Sequence, residues 1–505
     1  MTTPSESGVE AGLGVPLRLH PLSWLFAVLQ QLKSFALPLV VVMVTGRGNR
    51  SEWIGLVGVF GLAVVALLQY LTYRYRLAPE GIVITSGLLQ RTRRDIPYER
   101  VHNIVLHQRL LHRWCGVAEV RLESAGGGAA EAEMRVLSLP DAQAIEARIR
   151  ARHLTARPVG DPTPAATPAS ATTLLTLSPG EIVRLGLISN RGMVLVAAAV
   201  GALWQLWPEG ASPERALRSI VAFVGRESGH LLPAWLLAPM GLSIAAVVLV
   251  AFGLVVVRAL SVTLALLQFH GFTLTDVGRQ LRVDRGLLTR VRLYVPRRRL
   301  QAWRITETLL HRWFGRQSLR VDNAGGDAGE RGSGARDLAP VATPVTLAGL
   351  IHYLLPDTTW PPRQWHPIHP RAWRRLVFLP ATLAAVVTAA LTWRYGAAGL
   401  LVLGAIPALI VRAKGWARVT SYAEMDGGII AVREGWLSRS WKFVEIHKLQ
   451  SLRLTESPFD RRHGMATLWL DTAGVTSREG VLRIPFLPLA DARTLYDRLA
   501  AGMDR

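Results

Sequence analysis

A chain of 505 residues that is 50% hydrophobic yet carries 58 Lys and Arg against 36 Asp and Glu is at once too apolar and too basic for an ordinary soluble protein. The net charge of +22, pI near 11.2 and mean hydropathy of +0.25 fit a membrane protein whose basic parts stay on the untranslocated side. The charge is spread along the chain rather than gathered in one basic arm, so nucleic acid is not an expected partner. A single cysteine, Cys115, excludes an internal disulfide framework.

Residues 1–23 form a tail with no positive n-region and no small-residue cleavage site, so no cleaved signal peptide is expected. A membrane hairpin follows at 24–72, with apolar stretches Trp24–Val44 and Trp53–Tyr70. After a β-rich region at 73–155 comes a linker, 156–190, rich in Pro, Ala and Thr up to Thr173. The second hairpin, 191–258, holds Met193–Trp207 and Leu231–Val257, and a second β-rich region occupies 259–356. A juxtamembrane linker at 357–375 leads to the third hairpin, 376–412, with Leu376–Trp393 and Ala397–Val411, and then to a third β-rich region, 413–505. Met193–Trp207 and Ala397–Val411 fall short of the ~20 residues of a full crossing, which leaves a buried core helix as the alternative for each. The Arg-rich regions after the even-numbered spans read as cytoplasmic, which places both termini on the cytoplasmic side of an inner membrane.

Lys33 sits within the first span beside Gln30 and Gln31. A charge at the bilayer centre costs about 2.5–3.5 kcal/mol, which marks it as functional unless Leu25–Lys33 lies along the interface instead. No Asp or Glu falls within any span, which argues against an ion-coupled transporter.

One unit occurs three times. GLLQRTRRDIPYERVHNIVLHQRLLHRWCGVAEVRLESAGG begins at Gly87, GLLTRVRLYVPRRRLQAWRITETLLHRWFGRQSLRVDNAGG at Gly286 and GWLSRSWKFVEIHKLQSLRLTESPFDRRHGMATLWLDTAGV at Gly435, with gapless offsets of 199 and 149. Short alternating runs at Tyr73–Leu77, Gly81–Ser86 and Leu89–Ile96 read as strands, and Val101–Val105 continues the sheet. A turn of helix at Gln108–Trp114 stops at Gly116, and Val117–Glu123 pairs with Arg135–Leu139 across the Gly-rich tip Ala125–Ala129. Asp141 then caps a helix with Ala142, Ile145 and Ile149 on its apolar face. The unit is therefore a small antiparallel barrel or sandwich of about six strands closed by a C-terminal helix.

Ile96-Pro97 leading into Arg100-Val101-His102, then Leu110 to Gly116 and Ala125-Gly126, resembles the membrane-flanked bacterial PH-like domain family, of the YdbT-like kind. The third copy is closest, with Lys448-Leu449-Gln450, Ser457-Pro458-Phe459, Arg461-Arg462-His463-Gly464 and Asp471-Thr472-Ala473-Gly474. The first two copies depart from the pattern with His-Arg-Trp before the glycine. The resemblance covers nearly the whole chain and implies a split sheet closed by a helix, about six transmembrane helices in three hairpins each followed by such a domain, and no established activity.

No catalytic, metal or cofactor motif emerges. The Gly-rich tips Ala125–Ala129 and Ala324–Gly334 lack the Gly-Lys-Ser/Thr ending of a P-loop, and His102, His107 and His112 read as ordinary surface or turn histidines. Two features recur. His112-Arg113-Trp114 returns as His311-Arg312-Trp313, with Trp either packed on the barrel or seated at the membrane interface. Arg91 and Arg93 share a strand face and recur as Arg290 and Arg292; Arg439 matches Arg91, and Lys442 matches Arg94. Such a row is either a solvated face or a contact for anionic headgroups, each cation then contributing about 1 kcal/mol. The expected protein is a non-enzymatic membrane scaffold that binds the lipid bilayer and a protein partner or itself, without a small-molecule substrate. The alternative is an accessory of a transport, export or envelope stress-resistance system whose helices do the work.

Overall fold

A computed structural model describes residues 17–18, 23, 61, 64, 67–68, 71–87, 91–98, 101–124, 132–155, 171–205, 239–278, 280–323, 337–472 and 482–503. Lys33 and both Gly-rich tips lie outside them. Among the described residues each repeat holds seven strands rather than six, split four and three, and one closing helix. The first comprises β1 (Leu17–Arg18), β2 (Arg74–Leu77), β3 (Gly81–Ser86) and β4 (Thr92–Pro97), then β5 (Val101–Gln108), the short α1 (Leu110–Trp114), β6 (Val117–Ser124), β7 (Ala132–Ser138) and α2 (Leu139–Thr155). The second adds β8 (Thr172–Thr176), α3 (Pro179–Ile188), α4 (Arg191–Gln205), α5 (Pro239–Phe269), β9 (Thr273–Val277), β10 (Gln280–Arg285) and β11 (Arg290–Pro296). It continues with β12 (Leu300–Glu307), α6 (Leu309–Trp313), β13 (Gln317–Asn323), β14 (Asp337–Ala342) and α7 (Pro344–Leu354). The third runs through β15 (His366–Pro367), α8 (Ala372–Tyr395), α9 (Ala405–Val419), β16 (Ser421–Met425), β17 (Ile429–Glu434) and β18 (Arg439–Glu445). It ends in β19 (Leu449–Thr455), α10 (Pro458–His463), β20 (Met465–Thr472), β21 (Leu482–Pro488) and α11 (Leu489–Met503).

The first strand of each repeat precedes its membrane segment. Arg18 pairs with Arg74, Thr176 with Thr273, and Pro367 with Ser421, so both ends of each apolar insertion meet at one sheet. The insertions are therefore loops of a split-sheet domain rather than stalks in front of it. Residues 156–190, read as linker, contain β8 and α3, and 357–375 contain β15. Helix α3 starts cleanly because Ser178 accepts a hydrogen bond from the Glu181 amide and Pro179 occupies the first turn. Glu181 then pairs with Arg316 at 2.7 Å, which fixes α3 to the second module.

Among the described residues two stretches are long and apolar enough to cross a membrane, Val247–Phe269 and Ala372–Val419, the second broken by Gly396 at φ 65°. A third exists if Pro179–Ile188 and Arg191–Gly201, bent by 50°, act together. Six crossings are more than the described residues display, since most of the hairpin at 24–72 lies outside them.

The modules are not separate barrels. Three strands of one repeat and four of the next form a single seven-stranded sheet: β7-β6-β5-β11-β10-β9-β8, and again β14-β13-β12-β18-β17-β16-β15. At the first joint Gln108 pairs with Arg290 and Ile104 with Tyr294; at the second Glu307 pairs with Arg439 and Trp303 with Phe443. Side chains alternate across a sheet, so each shared sheet is a wall with one face on each core. Ile104 and Leu106 belong to the first core while Val105 belongs to the second. Likewise Ile430, Val432 and Val444 face the third core, and Ile429, Ala431 and Phe443 the second. This two-sided burial explains the unbroken apolar run Ile429-Ile430-Ala431-Val432. Among the described residues the outermost sheets lack such a neighbour, and β4 is exposed from Thr92 to Asp95.

Gly116, Gly315 and Gly464 end the short helices α1, α6 and α10 at φ 66°, 59° and 65°, as the sequence predicts. A β-branched residue there is strained, so Gly116→Val should destabilise the protein by roughly 1–3 kcal/mol. Denaturation of the full chain in detergent measures this, and an unchanged midpoint would contradict the left-handed turn.

Candidate functional site: an arginine-lined cleft at the first joint

The two joints differ in what fills them. At the second, Trp303 stacks on Phe443 with ring centroids 5.9 Å apart and planes 2° from parallel, and Trp360 adds a third ring 5.0 Å from Phe443. At the first, the same wall face carries polar residues. Arg290 lies opposite Gln108, Arg292 opposite Leu106 and Asp284, and Arg282 opposite Tyr294. Guanidinium groups do not close-pack as rings do, and a cleft of about 510 Å³ remains, lined by Arg113, Arg282, Arg285, Arg290 and Arg292 with Asp284.

Its position is set by backbone bonds to the membrane helix. The Gly286 amide donates to the His270 carbonyl at 2.9 Å and the Leu287 amide to the Leu267 carbonyl at 2.9 Å, so the β10–β11 turn hangs from the end of α5. Gly286 sits at φ 108°, and a Cβ would lie 1.9 Å from the Thr289 carbonyl oxygen, so only glycine makes this turn. From the first module, Arg113 donates to the Leu287 carbonyl at 3.1 Å. Arg312 repeats this at the second joint, on the carbonyls of Trp436 and Leu437.

One carboxylate serves several cations here. Asp284 pairs with Arg282 and, at 2.9 Å, with Arg292. Burial opposes the Arg292 charge, but the hydrogen bond and charge of Asp284 outweigh it and raise its pKa. Arg285 is buried, with its guanidinium 5.0 Å from the Phe269 ring; burial pushes its pKa down, Asp337 partly opposing. Arg290 is exposed at the mouth. Five guanidinium groups line the cleft with the Asp284 carboxylate, while Asp337 and Glu146 act on Arg285 and Arg292 from outside the lining; the cations still outnumber the acids and favour an anion, and their planar forks suit phosphate oxygens.

The seven cations singled out in the sequence do not form one row. Arg91, just before β4, and Arg93 on it are exposed, Arg93 on the outward face of the first sheet and 3.3 Å from Asp95. Arg290 and Arg292 line the cleft. Arg439 is half-buried at the second joint, opposite Glu307. Arg94 and Lys442 point to the other face, where Lys442 lies across from Arg304 and burial lowers its pKa, Glu434 partly opposing. Sequence spacing missed Arg113, Arg282 and Arg285; Arg113 had a signal, the repeated His-Arg-Trp, but was not joined to the strand cations.

That repeated triplet divides its labour. His112 and His311 are buried, and burial lowers each pKa to about 4, aided by Arg109 and Arg320 respectively. His311 accepts the Thr308 amide on Nδ1 at 3.3 Å, and Asp460 does the same for Ser457 at 3.0 Å in the third copy. His311 is thus a capping residue, replaced in the third copy by a carboxylate of equivalent role. The tryptophans do not pack on the domain: Trp114 is 85% exposed and Trp313 83%. Leu110, Leu111, Leu287 and Leu288 are exposed beside Trp114, and Leu309, Trp436 and Leu437 repeat the arrangement at the second joint. Such Leu/Trp rims at the foot of a span are suited to the headgroup boundary.

Split sheets closed by a helix, repeated three times and interrupted by apolar insertions, define a membrane protein of repeated PH-like modules. The bacterial PH domain family model matches residues 25–153, 219–353 and 376–503, and the chain belongs to that family. It is similar to the UPF0699 transmembrane protein YdbT of Bacillus subtilis (strain 168), 21% identical over 372 residues, 68% of this chain and 70% of that one. No solved structure matches. Each family match starts after the repeat's first strand, so β1, β8 and β15 lie outside all three.

Proposed function

We propose that the chain is a non-enzymatic scaffold of the bacterial inner membrane, with three fused PH-like modules on the cytoplasmic face and an anionic lipid headgroup held in the first-joint cleft. The observation that carries this reading is the cleft's place: five arginines at the foot of an apolar helix, beside an exposed Leu/Trp rim. Bilayer and headgroup are its partners, and the outward cations Arg91 and Arg93 add long-range attraction. The test is native mass spectrometry of the full chain extracted with its lipids. Wild type should retain anionic lipid, and Arg290→Gln with Arg292→Gln should cut that retention at least fivefold while leaving zwitterionic lipid unchanged. Equal retention in the variant removes the headgroup reading.

The same geometry supports a reading of six crossings. Because β1–β2, β8–β9 and β15–β16 each pair across an insertion, every insertion returns to the side it left, and two crossings per insertion satisfy this. Both termini then face the cytoplasm. Alkaline-phosphatase fusions after Ser124 or Thr472 should be inactive and one at Asn49 active; activity at Ser124 would reverse the orientation.

A further inference from the structure

The chain of shared walls has two loose ends. Among the described residues β4 has one strand neighbour, β3, and β19 has one, β20. In the repeat, β4 is the counterpart of β11 and β18, while β19 is the counterpart of β5 and β12. Those are the pairs that make the two joints. The protein thus ends, at one extreme, in the strand that receives a joint and, at the other, in the strand that offers one. We propose that β19 of one copy pairs antiparallel with β4 of a second copy of this chain, joining molecules head to tail along the membrane.

The register is fixed by the joints already present. The offsets of 199 and 149 carry Gln108 to Glu307 and Arg290 to Arg439, so both joints pair equivalent positions. Carried one step further, they place Glu456 opposite Arg91, Thr455 opposite Thr92, Arg453 opposite Arg94 and Leu452 opposite Asp95. Glu456 with Arg91 reproduces the Glu307–Arg439 pair, and Arg453 with Arg94 reproduces Arg304–Lys442. A shift by one residue sets Glu456 beside Thr92 and turns every side chain to the wrong face. The joint arginine is also kept: Arg461 occupies the position of Arg113 and Arg312, and it is exposed at the free end.

Free edges are normally shielded, and the charges on β4 repel indiscriminate strands. In this register Glu456 meets Arg91, the cation at the start of that edge, so the edge favours this partner strand over an indiscriminate one. Because β4 and β19 are different surfaces, the contact is heterologous and continues until a ring closes or the row ends. Membrane tethering keeps all copies in one orientation and raises their local concentration.

The experiment uses full chains in a Cys115→Ser background. Thr455→Cys on one population and Thr92→Cys on another should yield a disulfide-linked dimer only when the two are mixed in membranes. Thr306→Cys with Ser440→Cys in one chain, the same position at the second joint, shows that the site accepts a disulfide. Replacing Thr92→Cys by Asp95→Cys, three residues out of register, should lower the yield at least tenfold. Separately, native mass spectrometry should show oligomers of wild type, at least fivefold fewer for Arg91→Glu, and recovery when Glu456→Arg is added. Monomeric wild type, equal cross-linking out of register, or linkage to a protein of another mass each overturns the proposal.

Discussion

Trp303→Ala should cost about 3–5 kcal/mol, the range for truncating a fully buried tryptophan, and should loosen two modules at once. Trp303 is 2% exposed, lies in the second core and stacks across the joint on Phe443 of the third repeat. Its loss leaves a void in the wall that both modules share. Chemical denaturation of the full chain in detergent reads the cost, and hydrogen exchange reads its spread into β17 and β18. Trp114→Ala is the control: at 85% exposure it should change stability by no more than about 0.5 kcal/mol. If the two variants are equally stable, the shared wall does not hold the modules together.

Acid should destabilise the protein through His112 and His311. Each is held neutral by burial, with a folded pKa of about 4 against the ordinary 6.5. Between those values the unfolded chain takes up protons that the folded one refuses, so stability is full above pH 7 and falls as pH drops to about 4. At 1.36 kcal/mol per pKa unit the loss is on the order of 3 kcal/mol per histidine. His311→Asp transplants the third repeat's cap and should flatten this slope between pH 6.5 and 4.5. An unaltered slope in that variant would place the titrating group elsewhere.

The sequence shows most of what repeats and little of what joins. The offsets, the glycine-terminated short helices and the closing helix are legible because each imposes a local residue requirement, such as φ > 0 at Gly116. The first strands are not: Leu17–Arg18 and His366–Pro367 are two residues long, and Thr172–Thr176 sits at the edge of a Pro/Ala/Thr-rich run. None has an alternation long enough to read. The shared walls leave a trace in β17, whose four consecutive apolar residues fit no half-buried strand, but one sequence does not say whose core lies behind. For the site, Arg290 and Arg292 were visible by spacing, whereas Arg282 and Arg285 join them only through strand pairing and a turn hung on α5.

The split of each sheet also sets a timetable. Ribosomes add about 5–20 residues per second, and β11 emerges 182 residues after Gln108, so β5 waits roughly 9–36 s for its neighbour. During that interval the nascent first module shows an unfinished edge, and the second insertion must reach the bilayer before β9 can meet β8. Completion of each wall is thus a delayed report that the preceding membrane step has succeeded. A stalled insertion leaves β5 uncovered, as an aggregation-prone and protease-accessible mark on a failed molecule.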